Sequence, residues 1–311
     1  MGKSKSLLKT SAAALGILHC INKVIDSSSI VNTTTKYSGK YYHWRQGDIF
    51  YRVSGNGKPL LLIHDLTVFS SSYEWMKIAE RLSDTYTVYC VDLIGCGKSD
   101  KPAITYTNYF YVQLITDFIN EVIKEKTNVA ATGLSSSFVL MANELNKELF
   151  DEIMLISPKS INFLKQSPDQ RSKILLRLFD LPIIGKTAYY IETNKANTEY
   201  YLTEKCFYNP FHVKHSAIKA YYDASHTSNG NGKFLLASIE GKYLNIDISK
   251  ALKNAENRIV IVNGIHNENR DNIVSSYIQL NKNIVVETIS DSKYLPQIEA
   301  VDELAELMYL F

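Results

Sequence analysis

The chain has 311 residues and is 45% hydrophobic, enough to bury one large core with a smaller appended element, or two modest domains. Thirty-four Lys and Arg stand against 32 Asp and Glu, and no basic tract interleaves with aromatics, so a nucleic-acid surface is excluded. Cys20, Cys90, Cys96 and Cys206 are scattered without CxxC spacing or the density of a secreted disulfide scaffold, and they fit a reduced compartment.

The first element is SLLKTSAAALGILHCINKVI, preceded or interrupted by Lys3, Lys5 and Lys9. Ala14, Leu18, Ile21 and Ile25 recur at steps of three and four, which predicts a helix with one apolar face. The run is too short and too polar to span a bilayer, and its apolar core is weak for a secretory signal. Two readings stay open: a helix lying on the membrane surface, or one packed on the domain. They correspond to a cytoplasmic protein with or without peripheral membrane contact. Residues 27–36, rich in Ser and Thr, read as a linker, so residues 1–36 form an N-terminal unit.

Beyond the linker, YYHWRQGDIFYRVSGNG predicts a strand pair closed by a Gly-Asn-Gly turn. PLLLIHD is a wholly apolar strand, followed by a helix from about Tyr73 to Leu82 and the strand TVYCVDL. A helix from about Thr107 to Ile123 leads into the strand NVAATG, then a helix from near Ser136 and the strand EIMLISP. Apolar strands alternating with helices predict an α/β fold with a mostly parallel sheet covered on both faces. Residues 161–226 carry helical pieces, Pro and Gly breaks and many aromatics but no long strand, which predicts a helical cap inserted in a core formed by 37–160 and 227–311. RIVIVNG and NIVVETI return as strands, and a helix from about Gln297 to Tyr309 closes the chain.

In such a sheet the carboxyl ends of the strands gather distant residues at one edge. GLSSS lies at one of these ends. A Gly-x-Ser-x-small pattern between strand and helix places a serine on a sharp turn, where small neighbours avoid collision. Gly133 and Ser137 flank Ser135 in this way, making Ser135 the candidate nucleophile. A serine needs a base and a stabilised oxyanion to act, so the rest of the chain must supply both.

The flanks of that motif give the pattern a family. The chain resembles the α/β-hydrolase superfamily from about Tyr41 to Phe311. VDLIGCGKSDKP (Val91 to Pro102) is similar to the family's strand and Asp-x-x-Gly-x-Gly-x-Ser-Asp loop, LLLIHD to its strand ending in His-Gly, and LPQIEAVDELAELMYLF to its last helix. The resemblance implies Ser135 as nucleophile, with the backbone N–H groups of Leu66 and Ser136 as the oxyanion hole. It also marks departures. Asp65 replaces a usual glycine beside the hole, Asn267 falls at the acid position, and Tyr294 stands where a histidine is expected. A neutral phenol cannot serve as an imidazole does at pH 7. His64, His266 and Glu268 are the nearest substitutes in the sequence.

Two functions follow from these residues. One is a weak serine ester hydrolase acting through Ser135. The other is a non-catalytic module that keeps a capped pocket for a small apolar or ester-like ligand, or for a protein partner. No cofactor or metal is expected, because GCGKS lacks the full phosphate-loop spacing and the histidines show no ligand spacing.

Overall fold

The computed structural model describes residues 2–32 and 38–311. Helix α1 (Gly2–Asn32) comes first and continues through part of the expected linker, of which 33–36 lie outside the described residues. Strands β1 (Lys40–Trp44) and β2 (Gly47–Ser54) form the expected hairpin, and β3 (Lys58–Ile63) is the apolar PLLLI strand. Helix α2 (Met76–Leu82), β4 (Tyr86–Val91), α3 (Asn108–Phe118), β5 (Thr127–Thr132), α4 (Ser135–Leu145) and β6 (Phe150–Ile156) follow in alternation.

The stretch before the next strand is helical: α5 (Ile161–Leu164), α6 (Gln170–Asp180), α7 (Ile184–Glu192), α8 (Lys195–Tyr200), a π-turn at Tyr201–Cys206, α9 (His215–His226), α10 (Gly232–Glu240) and α11 (Ser249–Asn254). The last part comprises β7 (Arg258–Gly264), α12 (Arg270–Leu280), β8 (Val285–Ile289), α13 (Pro296–Glu299) and α14 (Val301–Tyr309). Helices α10, α11 and α12 lie beyond the cap elements read from the sequence. In α12 only Ile273 and Tyr277 are buried, one turn apart, so its polar remainder carries almost no helical period.

One eight-stranded sheet has the order β1-β2-β4-β3-β5-β6-β7-β8. The pairs β1–β2 and β2–β4 are antiparallel, and the others are parallel. Side chains along a strand alternate between faces. Leu61, Ile63, Val129, Ala131, Ile153 and Leu155 accordingly join the core under α3, α4 and the cap, while Leu60, Leu62, Ala130, Met154 and Ile156 join the core under α2 and α14. Both faces are therefore dry, which explains why these strands read as unbroken apolar runs.

Helix α1 packs on the cap differently from the apolar face expected for it. Ile21 is 47% exposed and Ala14 is also exposed, whereas Asn22 and Asp26 are buried. Asn22 Nδ2 donates to the Ile183 carbonyl (3.3 Å) and Thr187 Oγ1 (3.1 Å). Asp26 accepts from Lys186 Nζ (2.7 Å) and from the Tyr190 hydroxyl (2.5 Å). The helix is thus pinned by polar groups, with Leu18 and Ile25 beside them half-buried. Among the described residues no helix is long and apolar enough to cross a membrane.

Candidate functional site at the strand ends

The turn between β5 and α4 puts its left-handed residue at Gly133, with φ +57°. A side chain there is strained, and a Cβ would lie 2.2 Å from Asp65 Oδ1 and 2.4 Å from the Tyr294 hydroxyl oxygen. Ser135 is two residues further on, as the first residue of α4. It is fully buried, and its hydroxyl donates to the His64 carbonyl at 2.7 Å. The Ser136 hydroxyl donates to the Ala131 carbonyl (2.9 Å), and that of Ser137 to the Leu134 carbonyl (2.7 Å). All three serines tie the helix start to surrounding backbone. The apex expected at Ser135 is occupied by glycine instead, because only Gly133 accommodates the left-handed turn without a clash.

The backbone donors converge from the two sides of this turn. The N–H groups of Leu66 and Leu134 both reach Asp65 Oδ1, each at 2.8 Å. Leu134, which follows the apex, is thus the residue whose N–H converges with that of Leu66. Two convergent N–H groups form an oxyanion-binding geometry, and here the chain's own carboxylate fills it. Asp65 Oδ2 accepts from the Tyr294 hydroxyl at 2.7 Å. Lys159 Nζ donates to that hydroxyl at 2.6 Å, lies 3.8 Å from Asp65 Oδ2 and sits 4.6 Å from the Tyr294 ring centroid. Burial, and then the Asp65 charge, raise the Tyr294 phenol well above its ordinary value, so it remains a neutral donor.

A second carboxyl group lies behind Asp65. Glu74 is buried beside it, with Oε2 accepting from the Asp65 N–H (3.3 Å) and Gln297 Nε2 (3.2 Å), and Oε1 from the Tyr221 hydroxyl (3.2 Å). Burial and the adjacent Asp65 charge push Glu74 up to about 8, so it is mostly protonated at pH 7. The chain from the π-turn closes the top. The Tyr294 N–H donates to the Cys206 carbonyl (2.9 Å), Lys293 Nζ donates to the Glu204 carbonyl (2.8 Å), and Tyr201 stacks on Phe69 with centroids 5.1 Å apart.

A family model described as the α/β-hydrolase fold matches residues 58–189. An uncharacterized protein of Mycobacterium tuberculosis is 26% identical over 133 residues, 43% of this chain and 36% of that protein. The 2-hydroxy-6-oxo-6-(2'-aminophenyl)hexa-2,4-dienoic acid hydrolase of Metapseudomonas resinovorans is 28% identical over 108 residues, 34% of this chain and 37% of the enzyme. The chain thus spans little more than a third of the length of these curated relatives. The crystal structure of a serine hydrolase involved in carbazole degradation superposes with a TM-score of 0.70 over 88% of this chain and 98% of its own, at 16% identity.

The chain has the α/β-hydrolase fold.

Within this α/β-hydrolase fold, the side chains of the remaining sequence candidates do not converge on the turn. Asn267 Oδ1 accepts from the Asn269 N–H (3.3 Å), inside its own loop. Glu268 is exposed and lies 3.4 Å from Lys293 Nζ. His266 is exposed and stacks on Tyr208, with ring centroids 3.4 Å apart. His64 has both ring nitrogens committed: Nδ1 lies 2.6 Å from the Asp65 carbonyl, and Nε2 accepts from the Leu93 N–H (3.0 Å). Burial lowers its pKa, so it is a neutral structural imidazole whose acceptor nitrogen is already used. Lys159 and Glu74 were not singled out in the sequence. Neither belongs to a motif, and only the fold brings them to Asp65 and Tyr294.

Proposed function

We propose that this protein of the α/β-hydrolase fold is a non-hydrolytic binding protein. One observation carries this reading: the Asp65 carboxylate accepts both convergent backbone donors, from Leu66 and Leu134, above an apex that has no side chain. An ester carbonyl has no donor left to polarise it, and a developing oxyanion would meet a carboxylate in the same place. Tyr294, held by Asp65 and Lys159, offers no proton acceptor comparable to imidazole. The test is intact-mass measurement after exposure to a fluorophosphonate probe. Neither the parent chain nor Ser135→Ala should gain an adduct; stoichiometric labelling that disappears in Ser135→Ala would overturn the reading.

A peripheral membrane attachment accompanies it. Ile17, Ile21 and Val24 are 62%, 47% and 68% exposed on α1, while Lys3, Lys5, Lys9 and Lys23 give the same segment a strong positive charge. Exposed apolar side chains with flanking lysines favour an anionic lipid surface over bulk water. Co-sedimentation with vesicles containing phosphatidylglycerol should fall at least about tenfold in Ile17→Glu/Val24→Glu. Equal pelleting of the two proteins would remove α1 from the interaction.

A further inference from the structure

A cavity of about 190 Å³ lies away from the filled oxyanion site, between the loop after β4 and cap helix α9. Tyr73 and Met76 form one wall, and Ala220 and Ala224, one turn apart on α9, form the other. Arg52 from β2 and Lys98 from the loop reach the cavity over a shared Phe50 ring, at 5.6 and 5.1 Å from its centroid. The loop is fixed in this shape. Gly97 has φ +48°, and its carbonyl accepts from Lys101 Nζ (2.8 Å) and from Thr227 Oγ1 (2.9 Å) of the cap.

The charges at this cavity are unevenly satisfied. Asp92 turns its two oxygens to the N–H groups of Ser72 (2.6 Å) and Lys98 (2.8 Å), and Asp223 pairs with Lys219 along α9. Lys98, by contrast, joins no ion pair among the described residues. Burial, and then the nearby Arg52 charge, lower its pKa against the opposing charge of Asp92, whose oxygens are taken by backbone N–H groups, so an anion beside Lys98 and Arg52 would be held by charge.

We propose that this cavity binds a small monoanion with a short apolar tail, its carboxylate between Lys98 and Arg52 and its alkyl chain against Met76, Ala220 and Ala224. The volume corresponds to about six water-sized groups, which matches a chain of about that many carbons. The inference rests on the binding role proposed above and names its ligand class. It fails separately, because the phosphonate experiment reads Ser135 and this one reads the cavity between the β4 loop and α9.

Isothermal titration of the full chain with hexanoate tests it. Saturable one-site binding is expected, with hexanamide at least about tenfold weaker because it lacks the charge. Lys98→Met should weaken hexanoate about tenfold, and Ala220→Phe should abolish binding by filling the cavity, with circular dichroism unchanged. Should Ala220→Phe misfold, Lys98→Met decides the matter alone. The proposal is overturned by absent saturation into tens of millimolar, by equal binding of acid and amide, or by undiminished binding in Lys98→Met.

Discussion

Gly133, Asp65 and Tyr294 form one unit in which each residue restricts the other two. A methyl group at position 133 meets both the Asp65 carboxylate and the Tyr294 hydroxyl and adds left-handed strain. Gly133→Ala should therefore cost at least about 2 kcal/mol in urea unfolding. The same change made in an Asp65→Gly/Tyr294→Phe background should cost less, and an identical cost in both backgrounds would show that the three do not interact. Glu74 supplies a second prediction. Its folded pKa of about 8 lies above the ordinary value of 4.5, so the folded state holds a proton that the unfolded state has released between those values. Stability from this group is complete below about pH 4.5 and is lost as pH rises toward 8, by roughly 1.4 kcal/mol per pH unit. Glu74→Gln should flatten that slope relative to the parent when melting temperature is followed across the same range.

At the scale of elements, α1 shows how far the sequence could be read. Its helical period was legible from Leu18 and Ile25, but the face that packs was not, because Asn22 and Asp26 look solvent-facing until Lys186 and Tyr190 arrive from the cap. A buried carboxylate pinned by an ammonium and a phenol is costly to break from one side. Asp26→Ala should leave the melting of the sheet domain nearly unchanged yet speed tryptic release of α1 severalfold, as read by limited proteolysis. The elbow shows a related limit. GLSSS carries the spacing of a nucleophile motif, and a spacing alone does not reveal which residue has positive φ. Thr132-Gly133-Leu134 reads as a plain strand end until the turn is seen to pivot on the glycine. The departures at Asp65 and Tyr294 were visible as residue types, whereas their mutual hydrogen bond required β3 and the segment after β8 to be brought together.

Across the whole molecule, the alternation of apolar strands and helices was sufficient to indicate the parallel sheet, because strands buried on both faces leave no other pattern. The extent of the helical layer was less visible: α10 sits against α6 and α7, beyond residue 226, the expected end of the cap. The closed site is likewise a property of the assembled fold, since the π-turn at Tyr201–Cys206 binds the backbone and side chain of the Lys293–Tyr294 segment. On the non-hydrolytic reading proposed above, building hydrolysis at this turn should require several changes at once. The combination Gly133→Ser, Asp65→Gly, Tyr294→His and Asn267→Asp should acquire phosphonate labelling at position 133 and raise p-nitrophenyl acetate hydrolysis about 100-fold. Gly133→Ser alone should remain unlabelled.

The mutual fit of Gly133, Asp65 and Tyr294 also bears on descent. A serine arriving first at 133 meets two side chains, a glycine arriving first at 65 exposes donors with no reacting group above them, and a histidine arriving first at 294 loses the bond to Asp65. On the non-hydrolytic reading proposed above, none of these single steps completes a catalytic site, and the first of them costs stability. On the binding role proposed above, a change at any one of the three positions is therefore tied to the other two, while the cavity between the β4 loop and α9 touches none of them.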